Sequence, residues 1–452
     1  MPANLLNLRE YEITRLDEND HDYHVWAEVK QPPTACLYCR SDNLVGFGRR
    51  EQLIKDLPMH GKRVGLYVNA RRMQCRTCDR TFTELLPAVD EKRAMTTRLL
   101  AWIGKASVSR TFASIAEEIG IAEGTVRSIF RSYVSELERT IRFETPKWMG
   151  IDEIHLIRPR CVISNIRNNT IVNLLPNRDK KTVTAYLSCL DGRQDVQYVA
   201  MDMWTPYRDA VRTVMPQARI IIDKFHVVRM ANDAIERVRK ALRSDLTVSQ
   251  RRGLMHDRFL LLKRQRDLDE RERLLLDGWV KNYPLLGVAY RLKEAFYGCY
   301  DAKSAPEAEH VFSRWLDSVP AALREPFGDL IRAYSNWNAY ILNYFEHPVT
   351  NAYTESLNNL IRVMNRLGRG YSFEALRAKI LFTEGMHKHT NSRPKFARIR
   401  EAPRERTLDL MIYEKALPFH RPKEPQPIRV GTPKNYGVDI STLIAKLEAG
   451  DL

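Results

Sequence analysis

The sequence predicts an α+β multidomain chain: a small N-terminal cysteine module, a helical hairpin, and an α/β core divided by an all-helical insertion. Three observations carry this. Two Cys-x-x-Cys pairs stand near the N-terminus, apolar spacing turns helical over residues 97–137, and beyond Trp148 short apolar runs follow the order βββαβαβ. A chain of 452 residues with 44% hydrophobic content has enough apolar material for several cores. The expected segments are 1–90 (cysteine module), 91–145 (helical hairpin), 146–235 (first part of the core), 236–345 (helical insertion), 346–400 (second part of the core) and 401–452 (C-terminal extension).

The charge balance points to a polyanionic partner. Lysine and arginine number 72 against 56 acidic residues, a formal charge of +16. The densest basic stretch, residues 361–400, holds ten cations (Arg362, Arg366, Arg369, Arg377, Lys379, Lys388, Arg393, Lys395, Arg398, Arg400) against Glu374 and Glu384. Nucleic-acid phosphate is the natural counterpart; a solvated helix face is the plainer reading. No run of eighteen apolar residues occurs, and residues 1–10 lack a basic-then-apolar leader pattern, so neither membrane insertion nor secretion is expected and a cytoplasmic location is.

In the first module, Cys36-Leu37-Tyr38-Cys39 and Cys75-Arg76-Thr77-Cys78 are separated by 35 residues. Two residues between thiolates allow a tight turn to aim both sulfurs at one tetrahedral ion, and two such turns complete its shell. The pattern is that of a zinc ribbon with a structural Zn²⁺, because four sulfurs leave no position for water. Residues 53–54 and 64–68 read as strands that bring the knuckles together. Cys161, Cys189 and Cys299 are scattered in apolar settings and read as core.

Residues 114–126 read as helix, glycine-containing turn and second helix, the outline of a helix-turn-helix. Ile115, Ala116 and Ile119 would face Val126 and Ile129, leaving Thr125, Arg127, Ser128 and Arg131 for the major groove of double-stranded DNA.

The core begins with apolar runs at 148–157, 161–166 and 170–175. A helix at 180–190, a strand at 196–201 ending on Asp202, a helix at 207–214 and a strand at 218–222 ending on Asp223 follow. This is the order of an RNase H-like fold, in which a carboxylate within the first strand lies beside another at the tip of the fourth. Asp152 and Asp202 occupy those places. A charge interrupting an apolar strand is costly unless a cation accepts it, and Mg²⁺ prefers hard oxygen ligands while keeping positions open for phosphate. The plainer reading is that these aspartates cap the helices behind them.

A third carboxylate is expected on a late helix over 350–367. There Leu357, Leu360, Ile361, Met364 and Leu367 form one stripe, and Glu355, Asn358, Asn359, Arg362 and Arg366 the opposite one. The polar line would supply a metal ligand followed by phosphate contacts from Asn358, Arg362, Arg366 and Arg369. Trp337, in the helical stretch 231–345, reads as core or as a base-stacking residue. The tail from 421, with Pro422, Pro425, Pro427 and Pro433, reads as an extended linker before a short helix at 440–447.

The double Cys-x-x-Cys, the Gly150-Ile151-Asp152-Glu153 strand, Met201-Asp202-Met203-Trp204 with Pro206-Tyr207, Asp223-Lys224-Phe225-His226, and Thr350-Asn351-Ala352 with Glu355 and Asn358 closely resemble the ISL3-type bacterial insertion-sequence transposases. The resemblance covers roughly residues 30–395. It implies a DDE transposase: two Asp and one Glu hold Mg²⁺ (or Mn²⁺) while terminal inverted repeats are cleaved and a 3′ hydroxyl attacks target DNA. It also implies pairing of two DNA ends by a homodimer or larger assembly, and an insertion that shapes the DNA channel. Asp152 and Glu355 are two of the expected ligands. Asp202 ranks as the other by strand order, with Asp223 as the competitor, because Asp223-x-x-His226 resembles a signature carried by related transposases. His226 would orient a scissile phosphate or a carboxylate. Two further classes remain open on the sequence: a DNA-binding regulator that keeps the carboxylates only for folding, and a structure-selective nuclease.

Overall fold

The structure, a computed structural model, describes residues 6–141 and 143–385. The C-terminal extension expected at 401–452, its prolines and its helix at 440–447, and the basic residues Lys388, Arg393, Lys395, Arg398 and Arg400 lie outside the described residues.

The first module is built on one long hairpin. β3 (Leu44–Met59) and β4 (Lys62–Cys75) pair antiparallel and are closed at His60 and Gly61, both at positive φ. Two strands that the sequence reading did not anticipate, β1 (Tyr11–Glu18) and β2 (Asp22–Val29), extend the sheet, β2 running parallel to β4. Alternation along β2 and β4 turns Val25, Ala27, Val64, Leu66 and Val68 onto Ile54 in one buried face. Short strands β5 (Thr81–Thr83), β6 (Val89–Asp90) and β7 (Met95–Thr96) lead into the helices.

α1 (Thr97–Ser109), α2 (Phe112–Ile119) and α3 (Glu123–Thr140) follow, the first two capped by the side chains of Thr96 and Thr111. Gly120 ends α2 in the left-handed conformation, which glycine adopts without a Cβ clash. As expected, Ile115, Ala116 and Ile119 pack with Val126 and Ile129.

The second sheet has the order β10-β9-β8-β11-β12. β8 (Trp148–His155) is central, antiparallel to β9 (Pro159–Asn165) and parallel to β11 (Tyr198–Met201); β10 (Thr170–Leu175) and β12 (Arg219–Ile222) form the edges. With α4 (Lys180–Ser188) and α5 (Thr205–Val214) between the strands, this is the βββαβαβ arrangement of an RNase H-like core.

α6 (Lys224–Ala241) leaves β12 and runs unbroken through the division expected at 235/236. It continues into α7 (Val248–His256), α8 (Arg258–Leu262), α9 (Glu270–Asn282), α10 (Pro284–Cys299), α11 (Ala305–Asp317) and α12 (Gly328–Glu346). One continuous apolar cluster joins a face of the sheet to these helices, and Trp337 belongs to it as core. The opposite face is covered by α13 (Ala352–Leu367) and α14 (Phe373–Glu384).

α14 also touches the helix-turn-helix, and this overturns part of the basic-stretch reading. Lys379, expected to meet phosphate, is 1% exposed. Its ammonium donates to the carbonyls of Ser107 and, at 2.7 Å, Arg110, and lies over the rings of Phe112, Phe130 and Tyr371. Arg377 is likewise occupied, by Asn173 and Glu138. Cys189 is exposed rather than core.

Candidate active site

Strand register sets three aspartates in a row. Ile151 pairs with Met201 and Met201 with Ile222, so Asp152, Asp202 and Asp223 each stand one residue beyond the same rung of β8, β11 and β12. Asp152 is 3% exposed and Asp223 fully buried. Asp202 does not cap α5, which is preceded by Trp204, and Asp223 occupies the N-cap position of α6 without a well-formed side-chain cap bond.

His226, on the first turn of α6, stands among these carboxylates. Its Nε2 lies 2.8 Å from Asp202 Oδ1 and 3.6 Å from Glu355 Oε1, as ion pairs without the alignment of a hydrogen bond. Two of the three groups of ligand atoms that fit within 4.8 Å among the described residues meet here: Asp152, Asp202 and His226, and Asp223, His226 and Glu355. The expected Asp152 and Glu355 thus fall in adjoining groups that share the imidazole.

The charges register this crowding. Burial, followed by the nearby Asp202 charge, pushes the Asp152 carboxyl up to about 8. Burial lifts Asp223 to about 6, moderated by His226 and by the backbone N–H groups of Asn351 and Phe225. Burial alone would lower His226, but Asp202 and the other carboxylates outweigh it and bring the imidazole to about 9. An oxygen-rich donor set, with Asp202 Oδ1 and both Asp223 carboxylate oxygens buried and lacking a well-formed hydrogen bond, suits a hard divalent cation.

α13 supplies Glu355 in its first turn, half exposed and facing the cluster. The helix is rotated from the expected orientation. Thr354, Leu357, Asn358 and Ile361 face the sheet, whereas Leu360 and Leu367 are exposed. Asn358, expected to reach DNA, is 3% exposed; its Nδ2 donates to Asp152 Oδ2 at 2.8 Å and to the Glu153 carbonyl at 3.3 Å. Arg366 and Arg369 remain exposed, and Arg362 donates to Asn359 Oδ1.

A polar contact set that sequence reasoning passed over holds this rotation. Ser164 Oγ lies 2.7 Å from Thr354 Oγ1, Thr354 donates to Asn351 Oδ1, and Asn351 Nδ2 donates to the Ile151 carbonyl at 3.3 Å. All three side chains close over Gly150, where a Cβ would meet them. Polar residues on the inner face of a late helix, opposite a glycine in an apolar strand, were the available signal.

Near the cluster, Trp204 is 39% exposed and the Arg178 guanidinium lies 4.4 Å over its ring while pairing with Glu153. In the helix-turn-helix, Ser128 and Arg131 are exposed and Thr125 is half-buried. Arg127 is committed locally, to Glu123 at 2.6 Å and over the Phe112 ring.

The four predicted cysteines converge. Cys36 and Cys78 sulfurs are 3.7 Å apart, and those of Cys39 and Cys75 are 3.5 Å apart. Tetrahedral zinc with bonds of about 2.3 Å has sulfur–sulfur edges of about 3.8 Å, so the cage fits. Each knuckle turns through a residue at positive φ four beyond its first cysteine, Arg40 and Asp79. Burial raises the Cys75 thiol but the backbone N–H groups of Cys78 and Thr77 outweigh it and bring it to about 6, whereas burial and the three neighbouring sulfurs push Cys39 up to about 12.

Comparison with known proteins adds family relationships. A family model described as "Transposase" matches residues 149–380. One for the "zinc-finger of transposase IS204/IS1001/IS1096/IS1165" matches 32–78, and one for the "Helix-turn-helix domain of transposase family ISL3" matches 84–134. The chain is 26% identical over 332 residues, 70% of its length and 80% of the relative's, to the transposase for insertion sequence element IS1001 of Bordetella parapertussis. It is 26% identical over 321 residues, 64% of its length and 71% of the relative's, to the transposase for insertion sequence element IS1557 of Mycobacterium tuberculosis. No helix among the described residues is long and apolar enough to cross a membrane.

Proposed function

Because this chain belongs to the ISL3 family of transposases, we propose that it binds the terminal inverted repeats of its element, cleaves them and joins the freed 3′ ends to target DNA by two-metal DDE chemistry. The observation that carries this is the row Asp152, Asp202 and Asp223, met by Glu355 from α13 and balanced by His226.

Asp152, Asp202 and Glu355 are the proposed ligands of Mg²⁺ or Mn²⁺. When bound, such a pair of ions activates the attacking oxygen and stabilises the leaving one. Asn358 donates to one Asp152 oxygen and the Glu153 backbone N–H to the other, so that the two bonds fix the orientation of the carboxylate. His226, whose imidazole the surrounding carboxylates raise to about 9, pairs with Asp202 and Glu355 and would orient a scissile phosphate. Asp202 is preferred to Asp223 as the middle ligand because it adjoins Asp152 directly in the sheet and is partly exposed, whereas Asp223 is fully buried. The cysteine cage holds a structural Zn²⁺. The cations Arg366 and Arg369 contact phosphate, and Ser128 and Arg131 face the major groove. Two chains pair the ends, each working as one unit of zinc ribbon, helix-turn-helix and divided core.

The test uses duplexes carrying the inverted repeats that flank the coding sequence. Asp152→Asn, Asp202→Asn and Glu355→Gln should each abolish Mg²⁺-dependent cleavage while leaving duplex binding intact. Cleavage retained in Asp202→Asn but absent in Asp223→Asn would transfer the middle position to Asp223. Scission without joined products would favour a nuclease, and binding without any scission a regulator.

A further inference from the structure

α6 carries an inference that rests on the DNA-transposing reading above. The helix starts at the carboxylate cluster and ends in a cleft of about 650 Å³ formed with the following turn and α7. His226, Met230, Asp233, Arg237 and Lys240 recur at helical spacing and share one face, so the cluster and the cleft lie along a single stripe. Fourteen residues at 1.5 Å each separate His226 from Lys240 by about 21 Å.

Five cations line the cleft: Arg239, Lys240, Arg243, Arg251 and Arg252. Two are used internally, Arg239 pairing with Glu236 and Arg251 donating to the Leu246 carbonyl. Lys240, Arg243 and Arg252 are exposed and make no ion pair or hydrogen bond among the described residues. Like charges gathered in a concavity repel one another unless an anion enters, and a run of them suits a polyanion. Leu246 and Leu254 give the cleft an apolar floor, which suits the deoxyribose edges between phosphates.

We propose that this cleft holds the sugar-phosphate backbone of duplex DNA. With α6 running along the duplex axis, at 3.4 Å of rise per step, the 21 Å offset corresponds to about six base pairs from the phosphate at the carboxylates. α6 is then a spacer joining the reacting phosphate to a backbone clamp, and the clamp is indifferent to base sequence.

The experiment measures binding of the full chain to a random-sequence 30-base-pair duplex against salt, for the native chain and for Lys240→Ala/Arg243→Ala/Arg252→Ala. For every phosphate that the protein no longer neutralises, the slope of log affinity against log salt becomes shallower by about 0.9. The triple variant is expected to give up about two to three units of slope and roughly tenfold or more in affinity at moderate salt, with an unchanged melting temperature. An unchanged slope alongside normal binding by the native chain would overturn the clamp and leave the transposase reading standing. Failure of the native chain to bind any duplex would overturn both. Weakened binding of polyglutamate with duplex binding unaffected would assign the cleft to an acidic protein segment instead and overturn the proposal. On a duplex that the chain cuts, phosphate-ethylation interference should differ between the two proteins about six base pairs from the cut; a difference only elsewhere contradicts the spacer.

Discussion

Asn358 Nδ2 donates to Asp152 Oδ2 across 2.8 Å, tying the helix that carries Glu355 to the strand that carries Asp152. Both groups are buried, so the bond persists without competition from water. It makes the relative placement of two proposed ligands depend on an amide that touches neither DNA nor cation.

Asn358→Ala is therefore expected to slow Mg²⁺-dependent cleavage roughly 10- to 100-fold, the usual cost of removing a partner that orients a ligand. Binding of duplex should be unaffected, because the side chain is turned inward. Cleavage rates and gel-shift titrations run side by side check this. Equal loss in both would return Asn358 to the DNA-facing line.

Gly150→Ala tests the contact between α13 and the sheet. The added methyl would stand 2.6 Å from Thr354 Oγ1 and also meet Ser164 Oγ and Asn351 Oδ1, all three fully buried and hydrogen-bonded to one another or to the strand. Overpacking of this kind costs about 1–3 kcal/mol or more. Chemical denaturation should show a lower midpoint, and cleavage should fall further than stability alone explains, because Glu355 rides on the displaced helix.

Stability should depend on pH in a direction set by the cluster. Asp152 at about 8, against an ordinary 3.8, holds its proton in the folded chain where the unfolded chain has lost it, so its contribution declines as pH rises from about 4 to about 8. His226 at about 9, against 6.5, contributes fully below 6.5 and loses that contribution as pH rises through 9. Both act alike. In chelator, thermal unfolding should occur at lower temperature near pH 9 than near pH 6; millimolar Mg²⁺ should offset the decline by binding the ionised carboxylates. Asp152→Asn should flatten the dependence, and an unchanged dependence in that variant would show that other groups set it.

Much of the candidate site was legible along the chain because its residues break local rules. Asp152, Asp202 and Asp223 interrupt or end apolar strands, where a charge is expensive, and the four cysteines repeat a spacing that ordinary packing does not require. The orientation of α13 was not legible. Its wheel offers two plausible inner faces, one through Leu360 and Leu367 and one through Thr354 and Asn358. The choice depends on Ser164 and Gly150, nearly two hundred residues earlier. Lys379 was misread for a similar reason: a lysine in a basic run looks solvated until α1, α2 and α3 close around it.

The sequence by itself determined the order of modules, the strand-and-helix order of the core, the cysteine cage and the carboxylates that converge, because periodicity, spacing and misplaced charge are local properties. Only the tertiary structure decided that His226 stands between two carboxylate groups, that Asn358 turns inward to bond Asp152, and that the cations at the end of α6 and beyond it line one cleft. Those facts depend on how one element is rotated against another, and rotation is set by side chains that meet across the fold and leave no mark on either segment alone.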